Sequence, residues 1–157
     1  MNEHKTYTRD FEIFYRTHFE SVVLYFKQRL PKNYDSEDLS QEVFVRLWNR
    51  DREIPLSRGY LFRIAQNLLT DTYRVQGRRK ALFIEADVDH GVDQRIDLKL
   101  VVYDVINRLP EKLRTVFLLS KYEGFKYTEI AEICNISVKT VEKRMSSTLK
   151  RLERALR

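Results

Sequence analysis

The sequence predicts an all-α protein of two small helical domains joined by a short acidic linker, the C-terminal one carrying a helix-turn-helix. Three observations predict it. Apolar residues recur at three- and four-residue spacing over most of the chain, the period of a helix with one buried face. Only four glycines and three prolines occur in 157 residues, which favours long helices and few tight turns. The helical period lapses over residues 81–97, where Glu85, Asp87, Asp89, Asp93 and Asp97 make the chain acidic. The expected organisation is therefore a domain at 1–80, a linker at 81–97 and a domain at 98–157.

The first helix is expected from about Asp10 to Leu30. Its stripe runs through Phe11, Phe14, Tyr15, Phe19, Val22, Val23 and Phe26, and Pro31 ends it. His18 falls in that stripe and is expected to be a core histidine. His4 and His90 are distant in sequence, so no metal cluster is expected. The second helix, Tyr34 to Arg50, opens on carboxylates that suit the positive end of a helix. Asp35 or Ser36 can cap it. Its apolar side is Leu39, Val43, Phe44, Leu47 and Trp48. Asp51 to Pro55 reads as a polar loop. Ser57 then caps a helix from Arg58 to about Arg74, with Leu61, Phe62, Ala65, Leu68, Leu69 and Tyr73 inward.

Within the linker a short helical turn is conceivable near Ala81 to Ile84. The period returns at Leu98, with Val101, Val102, Val105, Ile106 and Leu109 on one helix. Pro110 suits the first turn of the next helix, which carries Leu113, Val116, Phe117, Leu118 and Tyr122. Gly124 follows as a C-terminal cap. The last stretch, Tyr127 to Leu152, has the form of a helix-turn-helix, whose second helix can enter the DNA major groove. Ile130, Ile133 and Cys134 share a face, and Ala131 is small where two helices cross. Asn135 tolerates the positive φ of the turn. Ile136 plugs the turn and Ser137 caps the final helix. Val138, Val141, Met145, Leu149, Leu152 and Leu156 are expected to face inward.

Charge points the same way as the motif. The formal charge is +6 and the pI about 9.4, a balance that favours polyanions. Arg74, Arg78, Arg79 and Lys80 form one basic cluster. Lys139, Lys143, Arg144, Lys150, Arg151, Arg154 and Arg157 form another. Two basic ends around an acidic middle suggest two contacts on one polyanion. The single cysteine, Cys134, gives no disulfide, so the chain is expected to be intracellular and cytoplasmic. No apolar run approaches the ~20 residues that span a bilayer, and the polar N-terminus does not read as a signal peptide.

Three linked segments carry a family resemblance. Asp38 to Trp48 (DLSQEVFVRLW) resembles the core-polymerase-binding helix of bacterial RNA polymerase sigma factors. Tyr60 to Arg74 (YLFRIAQNLLTDTYR) resembles the promoter −10 helix that follows it. Leu109 to Phe117 (LPEKLRTVF), with the helix-turn-helix, resembles the −35-binding domain. Their order is the family's order, and the short linker resembles the extracytoplasmic-function (ECF) subfamily. Lys126 stands where the family often has a capping Ser, and Asn135 replaces the common turn Gly.

The resemblance implies a non-enzyme that brings RNA polymerase to promoters and helps melt them. Asp38, Gln41, Glu42 and Arg46 share a face of the second helix, and the resemblance implies that they dock on the clamp helices of core polymerase. Phe44 is expected to be shared between hydrophobic core and interface. The resemblance also implies that Asp51 to Arg58 forms a pocket for a flipped base of the −10 element. Asn67 would shape that pocket, with Asp71 one turn on. Arg58 would meet DNA there, and Arg63, Arg74, Arg78, Arg79 and Lys80 would contact phosphates. Such contacts give salt-dependent binding and little sequence information. At the −35 element, Lys139, Thr140, Glu142, Lys143, Arg144 and Ser147 are expected to make base-edge or phosphate contacts. Arg114 is expected to meet a phosphate. The implied partners are core RNA polymerase, promoter DNA and an anti-sigma protein, often membrane-anchored. No cofactor, metal, catalytic residue or small-molecule substrate is expected.

Two other readings fit parts of the sequence. A stand-alone helix-turn-helix regulator would bind duplex DNA without core polymerase, usually as a dimer at a two-fold site. An enzyme could use Asp35, Glu37, Asp38 and Glu42 to hold Mg²⁺. The second lacks a further carboxylate cluster or a His, Cys or Ser constellation nearby.

Overall fold

A computed structural model describes residues 2–75 and 94–157, with only the backbone described for 94–99. Its described elements are all helices: α1 (Asn2–Lys27), α2 (Ser36–Trp48), α3 (Arg58–Val75), α4 (Gln94–Arg108), α5 (Glu111–Lys121), α6 (Tyr127–Cys134) and α7 (Val138–Ala155). The chain divides into two units, Met1–Leu82 and Phe83–Arg157. Arg78, Arg79 and Lys80, the acidic stretch from Glu85 to Asp93 and the turn suggested at Ala81 to Ile84 lie outside the described residues.

In the first unit α2 packs against both α1 and α3. Val22, Val23, Phe26, Val43, Leu47, Leu61, Phe62 and Leu69 are buried. Burial of such side chains is worth about 1.5–3 kcal/mol each before chain entropy is counted. Several polar groups inside this core find partners there. The Tyr25 hydroxyl donates to Gln66 Oε1, tying α1 to α3. Arg29 is buried with its guanidinium 3.6 Å from the Tyr25 ring centroid and Nη1 donating to the Tyr25 carbonyl. The Tyr73 hydroxyl in turn donates to the Arg29 carbonyl at 2.7 Å.

α1 starts eight residues earlier than the apolar pattern suggests, at Asn2 rather than Asp10. The extra turns are polar and mostly exposed, but Tyr7 anchors them. Its ring lies 5.1 Å from Trp48, and its hydroxyl accepts from Arg50 Nη1 at 2.5 Å. A tertiary contact thus extends a helix that local periodicity does not announce. α2 begins with the Asp35 carboxylate accepting from the Asp38 N–H at 2.9 Å. Ser57 does the same for α3 through the Tyr60 N–H.

In the second unit α7 packs on α4, α5 and α6. The turn between α6 and α7 follows the sequence closely. Asn135 adopts φ 54°, ψ 51°, and the Ile136 N–H closes onto the Ala131 carbonyl at 2.9 Å. The Ser137 hydroxyl accepts from the Thr140 N–H at 3.1 Å. Lys126 precedes α6 without a side-chain cap. Gly124, at φ 70°, turns the chain out of α5. The buried seam of α7 differs from the expectation. Val141, Met145, Thr148 and Leu152 are buried, whereas Val138, Leu149 and Leu156 are exposed. Thr148 can enter the seam because its hydroxyl donates to the Arg144 carbonyl, which leaves no bare polar atom inside.

Candidate nucleic-acid interface

Three exposed faces carry the residues singled out in the sequence. On α2, Asp38, Gln41, Glu42 and Arg46 are all exposed. Glu42 and Arg46 pair at 2.9 Å across one turn, a contact worth about 0.3–0.5 kcal/mol at such exposure. Val45 lies in the middle of this face and is 53% exposed. Sequence reasoning passed over it, although its position three or four residues from Gln41, Glu42 and Asn49 already puts it there. An apolar side chain ringed by charges is the arrangement of a docking surface with a small dry centre.

Phe44 is not part of that face. It is 3% exposed and packs among Phe11, Tyr15 and Phe19, with ring centroids 6.4, 4.8 and 6.0 Å away. The expectation that it is shared with an interface is corrected: α1 covers it completely. Of the carboxylates Asp35, Glu37, Asp38 and Glu42, Asp35 caps α2 and Glu42 pairs with Arg46. Among the described residues no group of three or more His, Cys, Asp or Glu is placed to hold a metal ion.

On α3, Arg63, Asn67, Asp71 and Arg74 are exposed along one face, opposite the buried Leu61, Ala65, Leu68 and Leu69. Arg58, at the start of the helix, is half-buried, with its guanidinium over the Phe62 ring at 5.1 Å. Arg78 and Arg79 lie outside the described residues. The loop from Asp51 to Ser57 is shaped from within. The Asp51 carboxylate accepts from the Glu53 N–H, and Arg50 Nε donates to the Ile54 carbonyl at 2.8 Å.

On α7, Lys139, Glu142 and Lys143 are exposed, with Thr140, Arg144 and Ser147 half-buried beside them. The Thr140 and Ser137 hydroxyls share a hydrogen bond of 2.8 Å, so Thr140 belongs to the cap as well as to the outer face. Arg114 does not join this face. It is 5% exposed and its Nη1 donates to the Asn107 carbonyl at 2.9 Å. The expected phosphate contact is corrected. The guanidinium is turned inward, where it closes the last turn of α4, and a cation suits a helix C-terminus.

The family descriptions match the same segments. The model of sigma-70 region 2 matches residues 14–79, and that of sigma-70 region 4 matches residues 99–152. The ECF RNA polymerase sigma-E factor of Haemophilus influenzae is 32% identical over 133 residues, covering 71% of this chain and 69% of that protein. The solved structure of CnrH in complex with the cytosolic domain of CnrY is 25% identical, with a TM-score of 0.66, covering 95% of this chain and 88% of the other. The sigma factor RpoE of Bartonella quintana, solved in complex with the anti-sigma factor NepR, shares the fold at a TM-score of 0.69 and 24% identity, covering 94% and 97%. Both sigma regions in order, on a helical scaffold of this kind, place the chain in a family: it belongs to the ECF sigma factors of bacterial RNA polymerase.

Proposed function

We propose that this chain binds core RNA polymerase through the exposed face of α2 and directs it to promoters whose −10 and −35 elements are read by α3 and α7. The single observation that carries the reading is the α2 face, where exposed Val45 sits among Asp38, Gln41, Glu42 and Arg46. The sigma reading gives this surface a partner, core polymerase, beside a separate DNA-reading helix. Charge pairs around an apolar centre set specificity and encounter rate, and the centre supplies affinity.

The division of labour follows from the chemistry. Arg63 and Arg74 meet phosphates, which adds salt-dependent affinity. Asn67 and the Asp51–Ser57 loop hold a flipped base, offsetting the few kcal/mol that unstacking costs. Lys143 and Lys139 donate to guanine or phosphate, Glu142 accepts from a cytosine amine, and Ser147 and Arg144 flank them. No bond is made or broken by this chain; polymerase does the chemistry. It works in the cytoplasm, where polymerase and promoters are; no described helix is long and apolar enough to cross a membrane. CnrH, its structural relative, is held by the cytosolic domain of a second protein. A partner of that kind, an anti-sigma protein, is proposed here too.

Capture of purified core polymerase tests the reading. The wild-type chain is expected to bind core, and Glu42→Lys with Val45→Ala to abolish capture while leaving the helical circular dichroism unchanged. Tight duplex binding by the chain alone, with no capture of core, would establish the stand-alone regulator instead.

A further inference from the structure

Arg50, the residue that leads into the Asp51–Ser57 loop, is only 9% exposed. Its guanidinium reaches three acceptors. Nε donates to the Ile54 carbonyl at 2.8 Å, and Nη1 donates both to the Leu47 carbonyl at 3.0 Å and to the Tyr7 hydroxyl at 2.5 Å. One side chain thereby ties together the first turns of α1, the end of α2 and the loop. All three acceptors are neutral. A cation held away from water by neutral acceptors is a poor source of stability. What its planar fork supplies is direction, because the N–H groups leave at fixed angles.

The grip falls where it controls the loop most. The turn from Asp51 to Ile54 closes on itself: the Ile54 N–H donates to the Asp51 carbonyl at 3.0 Å, and the Asp51 carboxylate accepts from the Glu53 N–H at 3.0 Å. The Ile54 carbonyl belongs to the peptide joined to Pro55, whose ring fixes its own φ and favours extended backbone at Ile54. Ser57 then caps α3. Between the closed turn and the cap, the Ile54–Pro55 peptide plane sets where the loop points, and the bond from Arg50 Nε holds that plane.

Tyr7 completes the arrangement from outside the segment matched to sigma-70 region 2, which begins at residue 14. Its ring lies 5.1 Å from that of Trp48 and is covered by the Arg52 guanidinium at 3.5 Å. Arg52 belongs to the loop. Tyr7 therefore holds the loop twice, through its hydroxyl on Arg50 and through its ring face on Arg52.

We propose that Arg50, set by Tyr7, is a positioning residue for base selection at the −10 element: it touches no DNA, and it holds the Asp51–Ser57 loop in the shape that admits one base and turns others away. The inference rests on the proposed role of that loop as the holder of a flipped base. Discrimination between bases needs donors and acceptors held within about 0.5 Å of the productive geometry. A looser loop still binds DNA and loses the ranking.

The test uses holoenzyme reconstituted from core polymerase and the full chain. Open-complex lifetime is measured on promoter fragments carrying each of the four bases, at each −10 position in turn, and the ratio between best and worst base is the readout. Tyr7→Phe keeps the ring and removes only the hydroxyl, and is expected to narrow the ratio at the selected position about threefold, the worth of a modest hydrogen bond. Arg50→Lys keeps the charge but cannot serve three acceptors at fixed angles, and is expected to narrow it about tenfold. Core capture and dependence on the −35 element should stay as in wild type. A merely structural arginine would shorten lifetimes by one factor on all four templates and lower the thermal midpoint. That uniform loss, or an unchanged ratio in either variant, overturns the proposal. Should Arg50→Lys not fold, Tyr7→Phe decides alone. If the wild-type chain neither binds core nor initiates, the sigma reading fails. If it initiates yet ranks no base at any −10 position, the assignment of the loop fails. Each of these is visible before any variant is compared, and the proposal falls with it.

Discussion

Phe44 and Val45 are neighbours in sequence with opposite duties, and separating them is a sharp test of how α2 works. Phe44 is 3% exposed and touches three rings of α1. Phe44→Ala removes a whole buried ring, which costs about 3–5 kcal/mol. The lost edge-to-face pair with Tyr15 at 4.8 Å falls within that sum. A domain of this size is stabilised by only about 5–15 kcal/mol, so the variant should lose a large part of it. Val45 is 53% exposed, and Val45→Ala should change stability by less than about 0.5 kcal/mol. Its effect belongs to the complex, where truncating a central apolar contact should weaken core binding about tenfold, about 1.4 kcal/mol. Urea unfolding followed by circular dichroism reads the first effect, and titration of labelled protein with core polymerase reads the second. If Phe44→Ala were as stable as wild type, or if Val45→Ala bound core normally, the assignment of core and interface on α2 would be refuted.

Other expectations follow the same reasoning. Arg114→Ala should cost about 1.5–3 kcal/mol, the loss of a buried charged hydrogen bond, and leave the salt dependence of holoenzyme binding to promoter DNA unchanged; an altered salt slope would restore the phosphate contact. Lys143→Ala should lower the slope of log affinity against log salt by about 0.9, the loss of one phosphate contact, whereas an unchanged slope would mean a base contact or none. Asn135→Ala should lower stability by about 1–2 kcal/mol, because its φ of 54° is left-handed, and Asn135→Gly should be tolerated; equal melting temperatures for the Ala variant and wild type would contradict this. His18 has a pKa held below 6.5 in the folded chain, first by burial and then by Arg58. The unfolded chain therefore binds the proton more readily, and His18 contributes stability above pH 6.5 that is lost on acidification. The thermal midpoint of wild type should fall more steeply below that pH than that of His18→Phe, and parallel curves would remove His18 from the account.

Much of this fold was legible because its signals are local. The α6–α7 turn is written in Asn135, Ile136 and Ser137, each acting on backbone groups a few residues away. The caps at Asp35 and Ser57 are equally local. What periodicity could not show depended on partners distant in sequence. The first turns of α1 are polar, and Tyr7 anchors them by meeting Trp48 and Arg50. Phe44 looks shareable from α2 alone, but α1 covers it, and Arg114 looks like a phosphate ligand, but its guanidinium donates a hydrogen bond to the Asn107 carbonyl. In α7 a leucine was expected in the seam where Thr148 sits, since a threonine that donates to its own helix reads as polar in sequence but packs as apolar. The exposed faces of α2, α3 and α7 were legible as faces; Val45 is easily passed over, because an apolar residue in a charged row reads as a lapse in pattern, although its spacing already puts it on the α2 face.

The central claim is that this chain confers promoter choice on core polymerase, and run-off transcription measures it directly. Core polymerase should be incubated with fragmented chromosomal DNA of the host, with and without the protein, and transcript starts mapped. The account predicts discrete starts that appear only with the protein and share two upstream elements about two helical turns apart. Starts that are the same with and without the protein, alongside normal binding of the protein to DNA by itself, would contradict it.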